Sequence, residues 1–364
     1  MRSVGALVIL APIAPLSAAV QTTSKRLGPN YLGFDRDGEL NKLPLSYNLS
    51  DGHLKTGPEI NGIFWVNTFA RGSNGHDYYI ASHAMNYAPD IEGALPIYRA
   101  SILDITDPTY YKNHLRTADK DASFWSPCGL FNATFDGYGM HSSGRDPNQG
   151  IRAWTTLENI DFDLTLNFSL PPMMNGALGS YWVGGGLGWE WSIPRAATSG
   201  VITIDGEKID IVTDETFTWY DRQWGSIPDE FDWVMLHFEE SDWLDMKSFT
   251  IWAWEDVVNG KKSFASVRSY KTRYETTMPV TVRASTTEVY ESPKSGQIYP
   301  SEWTVLFGDG TEMLVTTPRA DQVIEADPAT GFPNQFSGYV EVVAKKGKEK
   351  PVKGYGAVDH MYIP

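Results

Sequence analysis

Apolar and polar positions along this chain alternate over short distances. Runs such as Gly62-Ile63-Phe64-Trp65-Val66, Tyr78-Tyr79-Ile80-Ala81-Ser82, Phe162-Asp163-Leu164-Thr165-Leu166 and Val201-Ile202-Thr203-Ile204 each stop at or near residues that favour turns. Helical periodicity is nearly absent. Asp205-Gly206, between Val201–Ile204 and Lys208–Val212, predicts a type I′ hairpin, because that turn needs two positive φ angles in succession. Further strands are predicted at Phe249–Trp254, at Trp303–Phe307 and Met313–Thr316 around Gly308-Asp309-Gly310, and at Gly338–Val343. Many short strands between frequent turns predict an all-β fold of antiparallel barrels or sandwiches. The basic tract Lys345–Lys350 reads as a solvated hairpin tip.

The N-terminus follows a different pattern. Arg2 precedes an apolar stretch from Val4 to Leu16, and Ser17-Ala18-Ala19 is a small-residue cleavage site. Residues 1–19 therefore read as a signal peptide, with the mature chain starting at Val20. The stretch is too short and too rich in proline to span a membrane, and no other segment approaches a span. The expected location is the secretory pathway, with the protein either exported or held in the endoplasmic reticulum lumen or a vesicle. The remaining length, about 345 residues, is too long for one typical core. The Pro- and Gly-rich stretch Pro171–Gly186 looks like a connection, and a boundary near Ala197 divides the chain into domains 20–197 and 198–364.

A net charge of −15 argues against nucleic acid and anionic membranes as partners. Cys128 is the single cysteine, so no disulfide forms within the chain, and it reads as a buried small hydrophobe. The sequons at Asn48, Asn132 and Asn167 are candidate glycosylation sites in a secreted chain. Local signals for a cofactor or metal are lacking. Gly184-Gly185-Gly186-Leu187-Gly188 opens no helix, there is no P-loop or nucleophile elbow, and the seven histidines are scattered. Aromatic content is 13%, with 13 Trp, many of them between residues 182 and 254. Such residues either fill a core or line a site.

Two stretches carry a resemblance. The first runs from Phe162–Leu166 through Pro171–Gly176 and Trp189–Arg195 to Thr198–Gly206; the second is Trp219-Tyr220-Asp221-Arg222-Gln223-Trp224-Gly225. Tyr299-Pro300-Ser301-Glu302-Trp303, Asp321-Gln322 and Gly354-Tyr355-Gly356 agree with them near the C-terminus. Over roughly residues 60–360 the chain resembles the lipocalin-like superfamily of hydroxyneurosporene synthase, the carotenoid hydratases, which includes kievitone hydratase and fungal Diels–Alderases. The resemblance implies two lipocalin-like domains with a ligand pocket between them, and the leader and sequons fit a secreted fungal branch. It does not fix the reaction, because the superfamily hosts hydration, cycloaddition and other cyclisations.

Several residues are candidates for the site. Asp221 could act as general acid or base and Arg222 could hold a substrate carbonyl, or the two could form a salt bridge closing the barrel corner. Glu190 sits between Trp189 and Trp191. Desolvated there, it would stay partly protonated, as a general acid must; equally, strand alternation could turn it to solvent while the tryptophans face the pocket. His237 shares a strand face with Trp233 and Met235, and reads either as a core histidine or as part of a ligand cavity. Trp191, Trp224, Trp233, Trp303 and Tyr355 are candidate pocket walls, joined by Arg99 and His83.

Three functions fit these features. One is a cofactor-independent cyclase of secondary metabolism, most simply a Diels–Alder or hetero-Diels–Alder cycloaddition on a polyketide or terpenoid intermediate. It needs pose and hydrogen-bond donors rather than a nucleophile. The second is a hydratase adding water to the prenyl double bond of a phenol, with Asp221 or Glu190 as the acid and tryptophans stabilising the cation. The third is a lipocalin-like carrier without turnover. All three take a hydrophobic small molecule as partner, and a homodimer is the assembly considered.

Overall fold

A computed structural model describes residues 62–361, apart from 87–94, 120–121, 145–148, 158–159, 169–170, 240, 242, 245–246, 257–259, 273 and 326–333. The leader and Asn48 lie outside the described residues. Almost everything described is strand, and no helix there is long and apolar enough to cross a membrane.

The first sheet begins with β1 (Gly62–Arg71), β2 (Asp77–Asn86), β3 (Ile97–Asp104) and β4 (Tyr111–Thr117). It continues with β5 (Asn132–Phe135), β6 (Tyr138–Ser142), β7 (Gly150–Leu157) and β8 (Ile160–Asn167). Then come β9 (Met173–Met174), β10 (Ser180–Val183), β11 (Gly186–Ile204), β12 (Glu207–Asp210) and β13 (Phe217–Gly225). These make an open sheet in the order β4-β3-β2-β1-β13-β11-β8-β7-β6-β5, with β9, β10 and β12 paired along β11. The second sheet uses β14 (Phe231–Phe238), β15 (Lys247–Asp256), β16 (Gly260–Ser269) and β17 (Glu275–Ala284). After a small hairpin of β18 (Val289–Glu291) and β19 (Ile298–Pro300) it adds β20 (Glu302–Phe307) and β21 (Thr311–Thr316). The edge strand β22 (Val323–Ile324), then β23 (Gln335–Lys346) and β24 (Val352–Met361), complete it. Pairing of β21 with β23 closes eight of these strands into a barrel, which removes the exposed edges an open sheet would carry.

The predicted hairpin is present: Asp205 and Gly206 have φ of 49° and 88°, and Ile204 pairs with Glu207. The Lys345–Lys350 tract is the exposed tip between β23 and β24. The boundary expected at Ala197 is not where the sheets divide. β11 runs through it unbroken, and β13 still belongs to the first sheet, so the change of sheet falls between Gly225 and Phe231. Two apparent breakers are absorbed within β11. Pro194 sits in a register shift between Ile193 and Ala196. At Gly200 a Cβ would lie 2.0 Å from the Asp163 carbonyl oxygen, so glycine there permits close strand approach rather than ending the strand. Pro171–Gly186 is likewise more than a connection, since it supplies β9 and β10. Cys128 is exposed on the turn Ser126–Gly129, not buried. Asn167 is exposed and Asn132 half-buried.

Three hydrophobic layers result. The first sheet encloses one around Phe64, Ile80, Leu164 and Ile202. The barrel encloses another around Leu236, Ile251, Val305 and Phe336. The third lies between the sheet and the barrel wall and contains Trp65, Phe69, Trp219, Trp233, Met235 and Trp252. Since side chains alternate across a strand, each of β1, β13 and β14 sends one set of residues to its own core and the other to this middle layer.

Candidate active site between the sheet and the barrel

The middle layer holds most of the buried titratable side chains among the described residues. Across the first sheet, strand register sets Arg99 beside His83, His83 beside Trp65, Trp65 beside Asp221, and Asp221 beside Ser192. Glu190 lies two residues before Ser192 on the same face of β11. The facing wall of the barrel holds a second registered row of Ser337, Asp359, Trp233 and Trp252. The rows meet directly. The Trp65 indole N–H donates to Asp359, Arg99 donates to Ser337, and the Arg99 guanidinium stands 3.9 Å from the Asp359 carboxylate.

Glu190 and Asp221 form the chemically distinctive pair. They are 1% and 4% exposed. The Ser192 hydroxyl donates to Asp221 and itself accepts from the Asn175 amide at 2.9 Å. The Tyr181 hydroxyl donates to Glu190. Burial pushes the Glu190 carboxyl up to about 7, against the opposing hydrogen bond of Tyr181. Burial, and then the neighbouring charge of Glu190, hold Asp221 well above the usual carboxylate range. Such a pair is disfavoured from ionising fully, so near neutrality it retains a proton and offers an acid and a base together. Asp359 is also raised by burial, to about 6, with Arg99 and Trp65 opposing the shift.

An open cleft of about 290 Å³ is lined by Phe69, Phe217, Tyr339 and Tyr355 at the edge of this layer. His237 stands behind it, ringed by Phe217, Trp219 and Phe69 at centroid distances of 4.5, 5.4 and 5.7 Å. Its Nδ1 bonds the Ser248 hydroxyl at 2.7 Å, while its buried Nε2 has no hydrogen-bond partner among the described residues. Burial, and then the charge of Arg195, push His237 well below its ordinary value and keep it neutral. Phe69 and Trp65 are four residues apart on β1, so Asp221, the register partner of Trp65, lies about 13 Å along the strands from this cleft, and Glu190 two residues farther still.

Asp221, Glu190, His237, Trp233, Tyr355, Arg99 and His83 are thus brought to one layer. Arg222, Trp191 and Trp224 are not. Each is on the opposite face of the first sheet, in that sheet's own core. Arg222 stacks over Phe64 at 4.2 Å and donates to the backbone carbonyls of Ile63 and Gln223, so alternation separates it from Asp221 and forbids the expected salt bridge between them. The same alternation separates the two readings of Glu190, whose carboxylate is buried in the middle layer, and it turns Trp191, expected at the pocket wall, to the sheet's core. Trp303 packs inside the barrel, where its N–H donates to Asp232 at 2.8 Å. Sequence reasoning missed Trp65, Asp359, Ser192, Asn175 and Tyr181. The only available signals were same-face spacings, of Ser192 from Glu190 and of Asp359 from Tyr355.

The dehydratase asqC of Emericella nidulans is 24% identical over 98% of this chain and 99% of its own. Kievitone hydratase of Fusarium solani subsp. phaseoli is 24% identical over 88% of this chain and 87% of its own. The solved kievitone hydratase of Nectria haematococca superposes with a TM-score of 0.77 at 23% identity, over 92% of this chain and 97% of that one, and so shares the fold. The AttH-like family model matches residues 102–359, and the chain belongs to the AttH-like family.

Proposed function

We propose that this protein is a lyase-type enzyme that adds water to, or removes it from, a carbon–carbon bond of a hydrophobic small molecule. The observation carrying the reading is the buried pair Glu190 and Asp221, bonded by the Tyr181 and Ser192 hydroxyls in an aromatic layer. In the addition direction the protonated carboxyl gives its proton to one alkene carbon. Water bonds to the other carbon, and the charged carboxyl takes the proton that water loses. In the elimination direction the base removes a C–H proton, the acid protonates the leaving hydroxyl, and the alkene and water result. The faces of Trp233 and Trp252 suit a developing carbocation. Two relatives named for hydration and dehydration support the same class of reaction.

A cycloaddition transfers no proton between substrate and carboxyl, and a carrier needs no acid. Turnover of a prenylated phenol in H₂¹⁸O, read by mass spectrometry, separates the three. The expected result is heavy oxygen in the product, with loss of at least about a hundredfold in rate for Glu190→Gln and for Asp221→Asn. A cycloadduct without heavy oxygen, formed from a quinone methide and an alkene by both variants at the wild-type rate, would instead establish the pericyclic reading. Tight binding with no product would establish the carrier.

A further inference from the structure

A second polar locus lies in the middle layer, two strands away from Asp221. Asn67, Ala81 and Ser101 are register partners on β1, β2 and β3. The adjacent row is Trp65, His83 and Arg99. Ala81 is the small residue among larger ones, and it is fully buried. Around it stand buried polar atoms that have no hydrogen-bond partner among the described residues: Asn67 Nδ2, Ser101 Oγ, Arg99 Nε and Nη1, and His83 Nδ1. Leaving such groups unpaired costs stability, and here they gather in one place.

Their chemistry is specific. Asn67 Oδ1 accepts from the Tyr79 hydroxyl at 2.8 Å and bonds His83 Nε2 at 2.9 Å. An amide oxygen only accepts, so His83 Nε2 carries the proton and its Nδ1 keeps the lone pair. Burial, and then the charge of Arg99, hold the ring neutral. The locus therefore presents the Asn67 amide N–H, the Ser101 hydroxyl and the Nε and Nη1 N–H groups of Arg99 as donors, with a single acceptor at His83. The charge of Arg99 is balanced by Asp359. Trp65, stacked on His83 at 4.2 Å between centroids, stands between this locus and Asp221 in the strand register.

We propose that Asn67, Ser101, Arg99 and His83 form a subsite for a carbonyl or carboxyl oxygen of the substrate, with His83 accepting from an adjacent hydroxyl or enol. Two interstrand spacings put His83 about 10 Å from Asp221, so the substrate carries its carbonyl that far from this carboxyl. The inference extends the lyase reading by naming a substrate group, and it relies on that reading only for where the chemistry occurs. It is tested by binding alone, so it can fail while the lyase reading stands, and the reverse.

The probes are 2-ethylnaphthalene, 2-acetylnaphthalene and 2-naphthoate, which differ in the oxygen they present, and the measurement is isothermal titration calorimetry. The wild type is expected to bind at least one oxygenated probe tenfold or more tightly than 2-ethylnaphthalene. A preference for 2-acetylnaphthalene identifies a carbonyl subsite, and one for 2-naphthoate a carboxylate subsite. Asn67→Asp, which keeps the acceptor and removes the donor, and Ser101→Ala should each erase most of that preference and leave 2-ethylnaphthalene unchanged. Arg99 also joins the two sheets, so the two milder variants carry the test. Equal binding of the three probes, no binding of any, or an equal loss for all three in both variants overturns the proposal.

Discussion

Replacing Glu190 with Gln should make the protein more stable at alkaline pH. Its carboxyl is raised to about 7 from an ordinary value of 4.5, so between those pH values the folded chain holds a proton that the unfolded chain gives up. The folded state binds more protons, and stability therefore falls as pH rises through that window. At 1.36 kcal/mol per pKa unit the full cost is about 3 kcal/mol, reached above pH 7 and absent below pH 4.5. Gln carries no such proton, yet its side-chain oxygen still accepts from Tyr181. Removing the Glu190 charge also relieves Asp221, which acts in the same direction. Urea unfolding followed by near-ultraviolet circular dichroism, at intervals from pH 4 to 8.5, measures the effect. Glu190→Gln should gain about 3 kcal/mol on the wild type between the two ends of that range, or about 6 °C in Tm at the lower sensitivity expected of a long chain. Parallel stability curves for the two proteins would refute the argument, because Glu190 would then titrate as it does in the unfolded chain.

Other residues give independent checks. Asp359→Asn leaves the buried Arg99 without its counter-charge and should cost about 3 kcal/mol in urea unfolding; no loss would mean that Arg99 is neutralised elsewhere. Gly356→Ala should yield little folded protein by near-ultraviolet circular dichroism, because its Cβ would lie 1.8 Å from the Met235 carbonyl oxygen. Gly308→Ala, with open space around it, is the neutral comparison. Trp303→Phe should lower Tm by a few degrees and leave KM unchanged, since Trp303 belongs to the barrel's own core; Trp233→Phe should raise KM.

Strand identity was legible because alternation is a local property. The Asp205-Gly206 turn followed from two residues, and the shared face of Trp233, Met235 and His237 from counting by twos. Alternation says which residues share a face but not what that face meets. β1 shows the difficulty: from Gly62 to Ala70 every residue is buried, so hydropathy cannot separate Trp65, in the middle layer, from Phe64, in the sheet's core. The same ambiguity put Trp191 in the pocket and left the side of Glu190 open. Tyr181 and Asn175 were hidden for another reason. They sit in a Gly- and Pro-rich stretch whose strands are only two and four residues long, and such a stretch reads as a linker until its pairing with β11 is known. Closure of the barrel through β21 and β23 is a non-local pairing with no sequence signal at all.

The distribution of charge among the three layers bears on function more than any single residue does. The interiors of the sheet and of the barrel are lined mainly by aliphatic and aromatic side chains, with Arg222 a buried charge on the sheet's own side. Glu190, Asp221, Asp359, Arg99, His83 and His237 are all in the layer between them, each under 5% exposed. Replacing buried ionic groups with packed apolar ones is often neutral or stabilising, so joining two sheets does not require this set. Nor can either sheet complete it. Asp221, Ser192 and Glu190 come from the first sheet, but the indoles that flank Glu190 come from the barrel. Asp359, which holds Trp65 and Arg99, comes from the barrel as well. The carboxyl pair acquires its raised proton affinity from burial that needs both walls. Loosening the contact through Arg99, Asp359 and Trp65 should therefore let water in and return Glu190 toward an ordinary carboxylate, so that the fit between sheet and barrel itself sets the acid strength of the site.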